Sequence, residues 1–360
     1  MFTIAEILRA TGGMLLQGSL RLRLRGVVTD TRKVKKGELF IAIRGDVFDG
    51  HNYIAQAVTQ GASAVIISRT DIDIPVNLPV IVVKDTVKAF GAIARYHRLK
   101  FNVPVIAITG SAGKTTTKEM IAAVLGKKYR VLYNKGTENN HMGVPLTLLR
   151  LTKAHKAAVI EAGTNHFGEI DWLGWVISPT VAIFTNIGQS HLEGLESAAG
   201  VYREKRTLID HLSKNGTVIL NADDPYLRKI AALKLAQRVI TYGVDRAADL
   251  KVASVEPSGK GLKVILGRNR VIQLPAPVWG NVYNSLAAMA CGQLLKIPFD
   301  DIAAALKRAK SARGRQCFHR VRGITLIDDT YNANPVSYQN AIRTLALSRG
   351  RGKVMLVAAD

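Results

Sequence analysis

Cysteine is nearly missing from this 360-residue chain, which has only Cys291 and Cys317. Two cysteines cannot build a disulfide framework, and such scarcity suits a reducing compartment, so a cytoplasmic protein is expected. Aromatic residues make up only 6%, and no nucleic-acid-binding motif is present. No apolar run reaches the roughly 18 residues needed to cross a bilayer. The first ten residues carry Glu6 and Arg9 inside an apolar pattern, which predicts an amphipathic helix and not a secretion signal. Acidic residues are also few: 27 Asp plus Glu stand against 50 Lys plus Arg, a net charge of +23. Such a field attracts anions. The basic residues fall in short scattered groups, such as Arg21, Arg23 and Arg25, or Lys127, Lys128 and Arg130. That scatter favours nucleotide substrates over nucleic acid as partners; no membrane insertion and a monomeric state are also expected.

Hydrophobic residues are 48% and charged residues 21%, ordinary for a globular protein. At this length two or three domains are expected. Over residues 1–85, strands at Gly37–Ile43, Ala64–Ile67 and Val80–Val83 and a helix at Tyr53–Gln60 suggest a small α/β domain. From 86 to 312 a helix, Thr86–Leu99, leads into the apolar strand Val103–Gly110. Strands at Ala157–Ile160, Val181–Phe184, Thr217–Leu220 and Arg238–Thr241 then alternate with helices. That alternation predicts a mostly parallel sheet covered by helices. Residues 249–274 read as antiparallel strands and Asn284–Leu295 as an Ala-rich helix. From 313 to 360 the pattern is a strand (Ile324–Ile327), a helix (Val336–Leu347) and a strand (Val354–Val357). One such unit cannot cover both faces of a sheet. The fold class is therefore α/β: a small N-terminal domain, a central phosphate-loop domain and an incomplete Rossmann-like C-terminal domain.

The most informative segment is Thr109-Gly-Ser-Ala-Gly-Lys-Thr-Thr-Thr117. It follows an apolar strand and opens a helix, the setting in which backbone N–H groups cradle phosphate. Gly110, Ser111, Ala112, Gly113, Lys114, Thr115 and Thr116 form the candidate cradle. Lys114 would neutralise β/γ-phosphate charge, and the hydroxyl of Thr115 or Thr116 would ligate Mg²⁺. The loop is shorter than the usual GxxxxGK[ST], because position 108 is Ile. Gly-Lys-Thr alone would fit an ordinary turn. Strand, two glycines, Lys and three threonines together point to ATP.

This loop resembles that of the Mur ligases and the related folylpolyglutamate synthases. Further segments strengthen the resemblance to the Mur ligases: Asp49-Gly-His51, Asn139-Asn-His-Met-Gly-Val-Pro-Leu-Thr-Leu-Leu149, Glu161-Ala-Gly-Thr-Asn-His-Phe-Gly-Glu-Ile170, Thr185-Asn-Ile-Gly-Gln-Ser-His-Leu192, Asn221-Ala-Asp-Asp-Pro225 and Asp328-Asp-Thr-Tyr-Asn-Ala-Asn-Pro335. Within the family they are most like the members that join D-alanyl-D-alanine to UDP-N-acetylmuramoyl-tripeptide. The resemblance implies ATP and Mg²⁺ as cofactors, those two molecules as substrates, and an acyl-phosphate intermediate. It implies Thr115, Glu161, His191 and Lys205 around the metal, with Lys114, His191 and Lys205 as catalytic residues. Lys205 matches a family lysine that is carbamylated, although its flanks here, Glu204 and Arg206-Thr207, depart from the usual Ala-Lys-x-Glu. Asn281 and Asn284 match an adenine-contacting segment whose usual Gly and His are here Val278 and Gly280. For these two asparagines a plain helix start stays open. Arg315 and Asp329 would reach ATP from the third domain. Thr31, Arg32, Asp49 and His51 resemble a uridine-nucleotide pocket. Asn139, Asn140, Tyr331, Asn332 and Asn334 complete the substrate contacts, and Thr137 replaces a usual Asn. Members continue past a strand like Val354–Val357, so the third domain is expected to be cut short. Alternatives are another Mur-type amino acid ligase, or a truncated nucleotide-binding remnant without ligase activity.

Overall fold

The computed structural model describes residues 1–45, 47–73, 76–136, 138–267, 270–348 and 352–358. The replacement at Thr137 lies outside the described residues. The chain divides into two compact units, Met1–Phe101 with His141–Leu151, and Asn102–Asn140 with Thr152–Asp360.

The first unit holds a five-stranded sheet in the order Met14–Gln17, Val80–Val82, Ala64–Ile67, Glu38–Ile41, Gly26–Val28. The first pair is antiparallel and the other pairs are parallel. Ala64-Val-Ile-Ile67 is buried throughout, as a central strand covered on both faces must be. The expected N-terminal helix runs from Ile4 to Thr11. Thr3 and Glu6 start it with a reciprocal capping box, and Gly12 ends it in the left-handed conformation. The helix Thr86–Leu99 is capped by Asp85, which accepts from the N–H groups of Val87 and Lys88. Residues 141–151 contribute the helix Gly143–Leu149 to this unit.

The second unit is built on a nine-stranded sheet. Its order is Arg270–Leu274, Gly261–Leu266, Leu250–Ser258, Arg238–Gly243, Thr217–Asn221, Val181–Phe184, Val105–Thr109, Ala157–Glu161, Val131–Tyr133. The last seven are parallel, and the 250–274 strands join as the expected antiparallel extension. After Val105–Thr109 the chain builds outward on one side, through Val131–Tyr133 and Ala157–Glu161, and then crosses to the other side at Val181–Phe184. In an open α/β sheet, ligands bind where the order reverses in this way, at the carboxyl ends of the strands. Register puts Glu161 beside Ile108, and Phe184 beside Thr109. The loops after three adjacent strands therefore leave from one ledge. The helices Lys114–Leu125 and Gly280–Leu294 pack on this sheet with Ile106, Ile108, Ile121, Val124, Leu286 and Met289 in a common core.

The C-terminal part contains a two-stranded hairpin, Cys317–Val321 with Ile324–Asp328, and a helix, Pro335–Ser348. The hairpin's first strand was not expected from sequence. The strand expected at Val354–Val357 does not form, and those residues are irregular and exposed. A strand needs a partner for its N–H and C=O groups, and none lies beside it among the described residues. The Ala-rich helix starts at Gly280, four residues before the expected Asn284, and carries Asn281 and Asn284 in its first turns.

Candidate active site

The phosphate-loop segment leaves Val105–Thr109 and enters the helix Lys114–Leu125 through two glycines with positive φ, Gly110 (148°) and Gly113 (82°). A Cβ at Gly110 would lie 2.0 Å from Thr185 Oγ1, so no larger residue fits there. The loop is braced by the segment after Val181–Phe184. Ser111 N–H donates to the Asn186 carbonyl at 3.0 Å, and Ala112 N–H to Asn186 Oδ1 at 2.9 Å. Thr185 Oγ1 donates to the Ala112 carbonyl at 2.6 Å. Ser111 Oγ donates to the Gly188 carbonyl at 3.0 Å and accepts from Gly188 N–H at 2.9 Å. Two amides expected to face phosphate, those of Ser111 and Ala112, are thus turned to the protein. The donors left for an anion are those of the helix's first turn, where Lys114, Thr115 and Thr116 have no preceding turn to bond.

Glu161 ends its strand and is buried. Thr115 Oγ1 donates to Glu161 Oε2 at 2.8 Å, and Asn139 Nδ2 donates to Oε1 at 2.8 Å. It is therefore Thr115, not Thr116, whose hydroxyl faces the carboxylate. Lys114 Nζ donates to the Gly110 carbonyl at 2.8 Å. Loss of water around the ammonium lowers the Lys114 pKa, the Glu161 charge opposes this, and the Arg315 charge adds to it.

Lys205 lies in the helix Ala198–Arg206, is 1% exposed, and its Nζ has no hydrogen-bond partner among the described residues. Burial and then the Lys114 charge hold its pKa well below the lysine range, against Glu204 and Glu169. His191 sits at φ 53°, an uncommon backbone for a residue with a side chain. Burial, Lys114 and Lys205 lower its pKa, Glu169 raises it, and His166 lowers it slightly. A neutral imidazole and a neutral amine are ligand and nucleophile forms that the charged groups are not.

A magnesium ion fits the chemistry of these donors. Glu161 is a buried carboxylate that accepts from two neutral donors, Thr115 and Asn139, so oxygen lone pairs are left for a hard cation. Among the described residues, no three His, Cys, Asp or Glu side chains gather into a metal-holding group.

Residues 108–292 match the family described as the Mur ligase middle domain, and residues 23–98 match the Mur ligase family catalytic domain. The UDP-N-acetylmuramoyl-tripeptide–D-alanyl-D-alanine ligase of Bacillus subtilis is 38% identical over 339 residues, covering 94% of this chain and 73% of its own length. The Escherichia coli ligase of the same name is 38% identical, over 92% of this chain and 75% of its own. The chain belongs to the Mur ligase family. A crystal structure of MurF from Acinetobacter baumannii superposes with a TM-score of 0.89 at 33% identity, covering 97% of this chain and 77% of that one. MurF from Thermotoga maritima in complex with ADP gives 0.81 at 28% identity, over 89% and 74% of the two chains.

In this Mur ligase the remaining expected residues fall in three places. Asn281 and Asn284 lie behind the phosphate loop: Thr117 Oγ1 donates to Asn284 Oδ1 at 3.1 Å, and Asn284 Nδ2 donates to Asn281 Oδ1 at 3.2 Å. Neither caps the helix, whose preceding residue is Trp279. In the C-terminal part, the Arg315 guanidinium stacks 4.1 Å from the Tyr331 ring centre. Asp329 accepts from Gln316 Nε2 at 3.2 Å, and burial raises its pKa. Asn334 Nδ2 lies 3.5 Å from the Ser111 carbonyl, and its Oδ1 accepts from Ser337 N–H at 2.9 Å to start the last helix. Asn332 and Asn140 are exposed. In the first unit, Thr31 Oγ1 donates to Gln56 Oε1 at 3.0 Å, and Arg32 pairs with Asp30 at 2.9 Å on the surface. Asp49 accepts from both His51 N–H and His51 Nδ1, while His51 Nε2 accepts from Ser68 N–H at 3.0 Å. That acceptor role fixes the proton of a neutral His51 on Nδ1.

Sequence reasoning missed several supports. Asp224 Oδ2 accepts from Ile187 N–H at 2.7 Å, and Asn221 Nδ2 donates to the Thr185 carbonyl at 3.1 Å, so the Asn-Ala-Asp-Asp segment braces the brace. Glu204 accepts from Gly168 and Ile170 N–H at 2.8 and 2.6 Å and holds the Asn165-His166 loop. A buried carboxylate next to Lys205 was the available signal.

Proposed function

We propose that this Mur ligase joins D-alanyl-D-alanine to UDP-N-acetylmuramoyl-tripeptide, using ATP and releasing ADP and phosphate. The observation that carries this reading is the 38% identity to curated ligases of that name over more than nine-tenths of the chain. The site supports it: a phosphate loop and a buried carboxylate stand at adjacent strand ends, and the helix Ala198–Arg206 carries a buried lysine whose Nζ has no hydrogen-bond partner among the described residues. ATP as substrate assigns the reaction to the cytoplasm.

In this reading Lys114 and the first-turn amides hold the β- and γ-phosphates and draw charge from the γ-phosphoryl group as the substrate carboxylate attacks it. Thr115, Glu161, His191 and Lys205 would hold Mg²⁺, which when bound offsets phosphate charge. In its uncharged form, which burial favours, the Lys205 amine can add to carbon dioxide and lose one proton to solvent, giving a carbamate anion that suits a metal where the ammonium would repel it. The acyl phosphate is then attacked by the amine of D-alanyl-D-alanine, and the tetrahedral intermediate collapses to amide and phosphate. No protein nucleophile is required. Arg315 and Asp329 would meet the nucleotide from the C-terminal part, and Asn281 and Asn284 would shape its loop from behind. Thr31, Arg32, Asp49 and His51 would serve the uridine nucleotide.

The test is phosphate release by the purified chain with ATP, Mg²⁺ and UDP-N-acetylmuramoyl-tripeptide, with D-alanyl-D-alanine or single amino acids as the amine. Release that requires the dipeptide supports the proposal. Release with a single amino acid in its place refutes the dipeptide assignment, and nucleotide binding without release under any pairing refutes ligase activity for this polypeptide.

A further inference from the structure

Lys118 lies one helical turn after Lys114 and is fully buried. Its ammonium donates to the Asn134 carbonyl at 2.6 Å and reaches the Gly136 carbonyl at 3.4 Å, with Glu119 at 3.2 Å. Burying an ammonium is costly unless its donors are used, and here they gather the chain just past the edge strand Val131–Tyr133. At that point the ladder between this strand and Ala157–Glu161 ends at Tyr133 and Val159. The fully buried Asn134 side chain continues it. Asn134 Oδ1 accepts from Glu161 N–H at 2.9 Å, and Asn134 Nδ2 donates to the Glu161 carbonyl at 3.1 Å and to the Glu138 carbonyl at 2.8 Å. Beyond it Asn139 closes on the Glu161 carboxylate through Nδ2 and on Gly163 N–H through its carbonyl, at 2.8 and 2.9 Å.

We propose that Lys118 and Asn134 are positioning residues that set the main chain and carboxylate of Glu161 for the metal, and that the Lys114–Leu125 helix thereby couples the phosphate lysine to the metal carboxylate. The inference rests on the magnesium reading of Glu161. Neither residue touches a reacting group. Lys118 fixes the Asn134 and Gly136 carbonyls, Asn134 fixes the main chain of Glu161, and Asn139, on the same segment, fixes one carboxylate oxygen. Asn134 can do this because a primary amide carries an acceptor and two donors, the pairing that a strand neighbour would supply.

The test is fluorescence titration of the full chain with an N-methylanthraniloyl ATP analogue, in EDTA and then across a Mg²⁺ series, for wild type, Lys118→Met and Asn134→Ser. Partners that orient a metal ligand change metal affinity by about 10-fold or more. The expected result is nucleotide affinity in EDTA within about twofold of wild type, with the Mg²⁺ midpoint raised about 10-fold in both variants. Should Lys118→Met lose its cooperative melt, Asn134→Ser decides. A folded variant with an unchanged Mg²⁺ midpoint, equal losses in EDTA and Mg²⁺, or unfolding of both variants overturns the inference. A wild type whose nucleotide binding ignores Mg²⁺ defeats the magnesium reading itself, and that result is distinguishable from the others.

Discussion

Replacing Lys205 with Met tests the reading of the site most sharply. The substitution keeps the aliphatic stem and removes the amine of a residue that is 1% exposed, an amine with no hydrogen-bond partner among the described residues. The pKa of Lys205 in the fold is well below that of a free lysine, chiefly through burial. Between the folded value and the unfolded value of about 10.4, the unfolded chain binds a proton that the folded chain does not. Stability must therefore rise with pH across that window, by about 1.4 kcal/mol per pH unit for one proton, and level off above it. Below the folded value the penalty is fully present. Other lysines and tyrosines titrate in both proteins, so the slope of wild type minus that of Lys205→Met isolates this group. Urea unfolding from pH 7 to 10, in buffer freed of carbon dioxide, measures it. Lys205→Met should be the more stable protein at pH 7, its advantage shrinking as pH rises, and it should release no phosphate. With ¹³C-bicarbonate, wild type should show a protein-bound carbamate carbon by NMR and the variant none. A variant less stable than wild type at pH 7 would show that the amine has a partner and refute the reasoning. Turnover within a few-fold of wild type would remove Lys205 from the site.

Three further outcomes are expected. Glu161→Gln cannot accept from both Thr115 and Asn139, and removes the buried charge; phosphate release should fall by about 100-fold, roughly 3 kcal/mol of lost charge stabilisation, and a loss under tenfold in a steady-state assay would count against a metal role. Gly110→Ala would drive a Cβ to 2.0 Å from Thr185 Oγ1; overpacking of about 1–3 kcal/mol should lower the melting temperature by at least about 2 °C and abolish nucleotide binding, and unchanged calorimetry would contradict it. Asp224→Ala removes the cap of the Pro225–Ala231 helix and the acceptor for Ile187 N–H; a loss of about 1–2 kcal/mol with weaker ATP binding is expected in denaturant and fluorescence titrations, and a stability loss without any change in ATP binding would separate Asp224 from the loop.

Much of the fold was legible because it rests on local pattern. Val105–Thr109 and Ala157–Glu161 are apolar runs with β-branched residues, and such runs become parallel strands once both faces are covered. Thr3 with Glu6, and Asp85 before Thr86, mark helix starts by side-chain chemistry within three residues. Where partners decide, pattern misled: Val354–Val357 has strand composition and no strand neighbour among the described residues, whereas Cys317–Val321 was overlooked and pairs with Ile324–Asp328. The inclusion of residues 141–151 with the first unit leaves no local trace in sequence.

The same division runs through the site. By itself the sequence marked a candidate phosphate loop, because glycines, a lysine and threonines at fixed spacing after a strand are read within nine residues. Tertiary structure alone decided how they are used. It turned the Ser111 and Ala112 amides inward to Asn186, selected Thr115 over Thr116 by bringing it to Glu161 across 46 positions, and buried Lys118 and Lys205 in opposite roles. One lysine donates to loop carbonyls and pairs with Glu119, and the other has no hydrogen-bond partner among the described residues. The physical reason is that a charge or hydrogen bond depends on what faces it, and those neighbours come from strands that are distant in the chain and adjacent in the sheet.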